Sequence, residues 1–312
     1  MPSNHGVPLS APACASATDN RFLAVLAQVR CSLRYFTDTL AGSDAAWIVG
    51  HRIARIGLYV LAMRNQRETD AVVEGHPSLR AVLASAMVTM GPFRGMRYGG
   101  IHAVRSALWP KLLGTYEQEL HDFVISLTRR KPGMIVNVGA AEGYYSVGFA
   151  LRFPGVPVVA YEQDLRGRVN IRKLAAINGV ADRVKIQRSF GPSDMALLPD
   201  AAGLLVMDCE GAEERLITAG NVGALKNWDL IIETHDGYHS GVTKRLCDLL
   251  VATHEVQVIE AIHDADRADR LSLPDVLDRL PRQEVDALLA ERRIHACLRW
   301  IVARSRRETR SA

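Results

Sequence analysis

Five side chains able to move a proton or grip a cation fall in two short stretches of the sequence. Asp208 and Glu210 stand in VMDCEGAEERLI, and Glu233, His235 and Asp236 in ETHDGYH. An imidazole titrates near working pH, so His235 is the first candidate for a general base and Glu233 the second. The carboxylates offer another chemistry, in which a divalent metal gathers Asp208, Glu210, Glu233 and Asp236 and activates a hydroxyl as a Lewis acid. Their spacing is not diagnostic of a metal, and none is assigned. Each group also has a plain structural use. Acids such as Glu210 and Glu213 complement the dipole at a helix start, where Glu213 can complete a cap, and His235 can be a loop histidine that makes hydrogen bonds.

These groups can cooperate only if both stretches end neighbouring strands. After Pro132 the chain alternates short apolar runs with helical patterns: MIVNVG, VPVVAYE, RVKIQRSF, GLLVMDCE, DLIIETH and EVQVIEAI read as strands, with helices between most of them. That alternation predicts an α/β fold with a parallel, Rossmann-like sheet and helices on both faces. The helical run PDVLDRLPRQEVDALLAERR is inserted near 263–295, before a last strand in HACLRWIVA. Residues 20–130 predict a helical N-terminal region, with one helix over SLRAVLASAMVTMG and a last one over LLGTYEQELHDFVISLTRR. Residues 1–19 read as a disordered tail, and 131–312 as the Rossmann-like domain.

In such a sheet, ligands bind beyond the carboxyl ends of the strands, and the first strand-to-helix turn is the usual place. Here it is Gly139-Ala140-Ala141-Glu142-Gly143. Glycines there can present bare backbone N–H groups, and the following helix adds positive charge at its N-terminus. The visitor then has a carboxylate or phosphate. A dinucleotide asks for G-x-G-x-x-G, but Ala141 and Tyr144 stand at the second and third glycine positions. S-adenosylmethionine fits instead, its methionine carboxylate meeting the N–H groups. A tight turn with no ligand is the remaining reading. Glu162, ending the second strand about 20 residues on, suits the ribose hydroxyls of a nucleoside.

Taken together, VNVGAAEGYYSVGFA, AYEQD, LAAINGV and VMDCEGAEERLI resemble the FkbM-type class I S-adenosylmethionine-dependent methyltransferases. The most specific part is D-x-E-G-A-E, here Asp208, Glu210, Gly211, Ala212 and Glu213. The resemblance spans residues 114–262. It departs at Asn137, where the family often has Asp, and leaves out the N-terminal region and the insertion. It implies the Rossmann-like class I methyltransferase sheet, with S-adenosyl-L-methionine as cofactor. Asn137, Gly139, Ala141 and Gly143 would then lie along its methionine part, Glu162 would hold the ribose, and Ser189 and Phe190 would flank the adenine. Asp208 would face the methionine amino group or the acceptor, and Tyr116 and Glu117 would belong to a cofactor-covering segment. The implied reaction is methylation of a small-molecule or glycan hydroxyl.

The bulk properties narrow the alternatives. The chain has 312 residues, 48% of them hydrophobic, and a net charge of +4, which does not suggest a nucleic-acid binder and sets DNA aside as a partner. RNA or protein methylation stays open through the basic residues Arg52, Arg55, Arg64 and Arg67, as does a non-catalytic cofactor-binding module. A nicotinamide oxidoreductase is disfavoured by the loop. The basic end ARSRRETR reads as a solvated tail. Five dispersed cysteines without CxxC spacing, and a start without a signal-peptide pattern, predict a reducing, cytoplasmic setting. The apolar stretch AAWIVGHRIARIGLYVLAM carries His51, Arg52 and Arg55 in its middle, so it predicts an amphipathic helix rather than a membrane span. The oligomeric state is not legible.

Overall fold

The computed structural model describes residues 64, 67–100, 103, 106–236, 240–292 and 298–307, and Glu68–Ala312 is one compact unit. The expected tail, the AAWIVGHRIARIGLYVLAM stretch, Arg52, Arg55 and three of the five cysteines lie outside the described residues.

The unit is built on seven strands: β1 (Met134–Val138), β2 (Val158–Tyr161), β3 (Val184–Gln187), β4 (Gly203–Met207), β5 (Trp228–His235), β6 (His254–Glu260) and β7 (Leu298–Ser305). Their order is β3-β2-β1-β4-β5-β7-β6. The first five run parallel, and β7 enters antiparallel between β5 and β6. The Rossmann-like sheet read from the alternation of strand and helix is therefore present. Strand order reverses between β1 and β4, which opens a crevice at the carboxyl ends of these two strands.

Alternation along the strands divides the core into two layers. Ile135, Leu204, Val206 and Ile231 pack to one face. Val136, Val138, Leu205, Met207, Leu230 and Ile232 pack to the other, as a period of two requires. Every residue of β4 and β5 is buried, which is why Gly203–Met207 and Leu230–Ile232 read as apolar runs.

Helices α1 (Pro77–Ser85), α2 (Leu108–Leu113) and α3 (His121–Ser126) precede the sheet. The single helix expected over LLGTYEQELHDFVISLTRR is not formed. Gly114 ends α2 at φ +74°, where a Cβ would lie 2.2 Å from the Met90 carbonyl oxygen, and a turn intervenes before α3. Likewise α1 stops at Ala86, in the left-handed region, instead of reaching Gly91. Leu112, Leu120, Phe123 and Leu127 join the first core layer.

Helices α4 (Tyr144–Arg152) and α5 (Leu165–Ile177) cover that layer. Asp164 caps α5 by accepting the Arg166 N–H at 2.7 Å, and Asn178-Gly179 ends it as the sequence predicts. Three shorter or later helices follow: α6 (Pro192–Ala196), α7 (Glu213–Leu216) and α8 (Val242–Leu250). Val242, Leu246 and Leu250 of α8 cover the opposite face. The insertion forms α9 (Arg267–Arg270) and α10 (Arg282–Leu289). Its Leu277, Leu288 and Leu289 pack against Leu79, Trp109 and Leu113 in a third apolar cluster.

At the amino end of β5, away from the crevice, Asp229 is buried among cations. Arg130 holds both its oxygens at 3.0 Å, Arg307 donates at 2.9 Å, and the Ser305 N–H donates at 3.0 Å. Arg304 lies over the Phe123 ring. The basic end of the chain is thus partly internal structure up to Arg307. Removing one partner of a buried ion pair strands the other charges, so Asp229→Ala is expected to destabilise the fold by about 3–5 kcal/mol in urea denaturation. A loss within experimental error would show that water reaches and solvates both guanidinium groups.

Candidate active site at the carboxyl ends of the strands

β1 delivers the chain into the turn 139–143 through three left-handed residues, Gly139 at φ +78°, Ala141 at +49° and Gly143 at +103°. The free N–H groups expected there are largely committed to the chain. Those of Gly139 and Ala140 both donate to the Tyr161 carbonyl at 3.0 Å, and that of Gly143 to Ala140 at 2.8 Å. The Ala141 N–H donates to Glu162 Oε2 at 2.8 Å, and the other oxygen of Glu162 accepts from the Asp164 N–H at 2.7 Å. The acid ending β2 therefore clamps the turn. Each of its oxygens still has a lone pair for a hydroxyl donor, so a nucleoside ribose and this clamp are compatible.

The reason for smallness differs along the turn. A Cβ on Gly139 would fall 1.6 Å from the Asp208 carbonyl oxygen, and one on Gly143 would fall 3.2 Å from Ile171 on α5. Chain neighbours already demand glycine at position 139. Asn137 is buried, and its Oδ1 accepts the Ser146 hydroxyl at 2.8 Å, joining β1 to α4. After β3, Ser189 is exposed. Phe190 is buried against Tyr161 with ring centroids 5.0 Å apart, so its ring belongs to the core.

A buried pair, Glu142 of the turn and Lys111 of α2, was not singled out from the sequence. Glu142 is paired with Lys111 and also accepts the Tyr98 hydroxyl at 3.2 Å. Lys111 lies 4.6 Å from the Tyr116 ring centroid. The signal was a lone lysine inside the apolar run LWPKLL. Tyr116 and Glu117, expected in a covering segment, follow the break at Gly114. Glu117 is buried and accepts the Tyr145 hydroxyl.

The proton-handling candidates converge at the ends of β4 and β5. His235 Nε2 lies 3.7 Å from Glu233 Oε2, 3.8 Å from Asp208 Oδ1 and 3.8 Å from Glu210 Oε2. Its Nδ1–H donates to Glu213 Oε1 at 2.9 Å. All four predicted residues, Asp208, Glu210, Glu233 and His235, are brought together. Glu213, read from sequence only as a helix-start acid, is the buried group that orients the imidazole. The same oxygen accepts from the N–H groups of Cys209 and Gly211, which folds the turn with Glu210 at φ +57°. Asp236 does not join. It accepts from the Thr243 hydroxyl and N–H, and Arg299 approaches at 3.4 Å, so the anticipated quartet of acids loses one member to the start of α8.

Burial opposes charge on His235, but the hydrogen bond and charge of Glu213, with Asp208 and Glu210, outweigh it and raise the ring above its ordinary pKa. Burial likewise opposes ionisation of Glu213, and the bond to His235 overrides it, holding that carboxyl below its usual value. Beside them, burial and then Glu213 push the Cys209 thiol far up, so it is no thiolate nucleophile. Among the described residues, one group has metal-ligand spacing: Asp208, Glu233 and His235, whose ligand atoms lie within 4.8 Å of one another.

No family profile and no curated protein matches the chain by sequence. Solved structures are similar to parts of it. They include the O-methyltransferase TomG from Streptomyces achromogenes in complex with SAM, at 16% identity over 47% of this chain and 81% of that one, with a TM-score of 0.37. An O-methyltransferase from Bacillus cereus in complex with SAH is 11% identical over 58% and 78%, with a TM-score of 0.39. A putative precorrin-6Y C5,15-methyltransferase domain from Corynebacterium diphtheriae is 15% identical over 61% and 98%, with a TM-score of 0.38. Identities and TM-scores this low leave activity and substrate to be argued from the chain's own residues. Among those described, no helix is long and apolar enough to cross a membrane.

Proposed function

We propose that the protein is an S-adenosylmethionine-dependent methyltransferase of the FkbM type, acting on a hydroxyl of a small molecule or glycan. The observation that carries this reading is one juxtaposition. The turn after β1, clamped by Glu162, meets Asp208 at the end of β4, and Asp208 stands beside His235. A nucleoside site and a proton-handling site thus share one crevice. When bound, the cofactor supplies a methyl group on a sulfonium, ready for transfer to a nucleophile. Glu162 accepts the ribose hydroxyls, Gly139, Ala141 and Gly143 shape the floor, and Asn137 holds that floor to α4. Ser189 borders the adenine end, with Phe190 supporting it from the core. Asp208, Glu210, Glu233 and His235 receive the acceptor hydroxyl, bring it in line with the methyl group and promote loss of its proton. The oxygen acceptor, the FkbM assignment and a cytoplasmic setting rest on the sequence resemblance and composition.

The cofactor half is tested by calorimetry with S-adenosylhomocysteine. Glu162→Ala is expected to weaken binding by about 1.5–3 kcal/mol, the scale of a charge-assisted hydrogen bond. Wild-type affinity in a folded variant would refute the ribose role. The catalytic half is tested by methyl transfer from labelled donor to a panel of hydroxyl acceptors. Cofactor binding without transfer to any acceptor would favour a binding module.

A further inference from the structure

We propose that the ends of β4 and β5 form a divalent-cation site in which Asp208, Glu233 and His235 Nε2 are the protein ligands, with Glu210 at its rim and Glu213 as positioning residue. Three observations converge on it. The ligand atoms of the three residues lie within 4.8 Å of one another. Around a metal at about 2.1 Å, ligand atoms stand about 3.0 Å apart in an octahedron and about 3.4 Å in a tetrahedron, so the 3.7 and 3.8 Å separations from Nε2 shorten by about 0.3–0.8 Å on binding, and the Asp208–Glu233 pair, within 4.8 Å, by no more than about 1.8 Å. Second, Asp208 Oδ1 is buried and has no hydrogen-bond partner, although it is the oxygen aimed at the imidazole. Third, Glu213 takes the Nδ1–H, which fixes the tautomer and turns the Nε2 lone pair toward the acids. A carboxylate behind a histidine, on the side away from the shared centre, is how metal-ligating imidazoles are oriented.

Among the described residues, no lysine or arginine pairs with Asp208 or Glu210; their ion-pair partner is His235. One imidazole nitrogen with carboxylate oxygens suits a first-row divalent ion such as Mn²⁺ better than Mg²⁺ or Ca²⁺, which prefer oxygen alone. Three protein ligands leave coordination positions open. With the methyltransferase reading as premise, one of them takes the acceptor hydroxyl, and the cation rather than the imidazole alone polarises it.

The test titrates full-length, EDTA-treated protein with Mn²⁺, followed by calorimetry and by the loss of the free-ion EPR signal. Saturable binding of one ion per chain is expected, about tenfold or more tighter than Mg²⁺, with a rise in melting temperature. Asp208→Asn and Glu233→Gln are each expected to weaken it at least about tenfold. Glu213→Gln is expected to weaken it about 10–100-fold, the usual effect of losing a residue behind a ligand, by more than any change in the metal-free melting temperature accounts for. Glu260→Gln, an exposed acid on β6, should leave it unchanged. Absence of saturable Mn²⁺ binding in the folded wild-type protein overturns the site, as does wild-type affinity in both Asp208→Asn and Glu233→Gln. S-adenosylhomocysteine binding is measured on the same sample. Mn²⁺ binding without it would overturn the methyltransferase reading alone, and the reverse would overturn the cation site alone.

Discussion

Alanine at position 235 is expected to lower kcat about 10²–10⁴-fold, the scale of a lost proton-handling group, and to leave S-adenosylhomocysteine affinity unchanged. The expectation follows from where the ring sits. Its Nε2 is the point on which Asp208, Glu210 and Glu233 converge, whereas the cofactor half of the crevice is built by the turn after β1 and by Glu162. The side chain is also buried, and its loss leaves the Glu213 carboxylate without its imidazole. A buried acceptor deprived of its partner costs about 1–3 kcal/mol or more, so transfer must be measured well below the melting temperature of the variant. Comparison with Asp208→Asn separates two mechanisms. If the imidazole itself takes the proton, His235→Ala is the more damaging change. If a cation is held there, Asp208→Asn is at least as damaging, and EDTA reproduces the loss in the wild-type enzyme. A folded His235→Ala variant with wild-type kcat would remove the ends of β4 and β5 from the reaction.

The sheet was readable because its central strands β1, β4 and β5 are buried on both faces, which forces apolar runs between glycine-bounded turns. Val136, Val138, Leu205 and Met207 announce one layer by their own types. The helix ends were less readable wherever a distant contact set them. LLGTYEQELHDFV keeps a helical period through Gly114, yet the chain breaks there because the Met90 carbonyl leaves no room for a side chain. The site divides the same way. Asp208, Glu210, Glu233 and His235 could be gathered from sequence because each lies at or just beyond the carboxyl end of a recognisable strand. Glu213 could not, since its position at the start of α7 has an adequate local explanation and its imidazole partner is 22 residues away. Asp236 erred in the opposite direction. It sits next to His235, but a threonine seven residues on takes it from the cluster.

Gly139→Ala is expected to cost about 4 kcal/mol or more, the range that marks a named structural defect rather than an ordinary surface change. Left-handed φ alone accounts for only about 1–2 kcal/mol in a residue with a side chain. The larger contribution comes from a Cβ placed 1.6 Å from the Asp208 carbonyl oxygen. That carbonyl is not free to retreat, because the Asp208 N–H donates to Val138 at 3.0 Å and continues the pairing of β4 with β1. Relief must come from parting the two strand ends, the point at which the turn and the His235 cluster meet. The variant should therefore lose stability and cofactor affinity together, and a chain that still folds should carry Asp208 displaced from the imidazole. A glycine kept only to admit a visitor predicts something else: near-native stability in urea, with S-adenosylhomocysteine binding abolished. A loss below about 1 kcal/mol would favour that account and show that the β1–β4 junction yields without penalty. Gly179→Ala is the control for conformation alone, since φ is +67° there with no atom within 4 Å of the added Cβ. Its cost should stay near the 1–2 kcal/mol set by φ, and the difference between the two variants isolates the contact with Asp208.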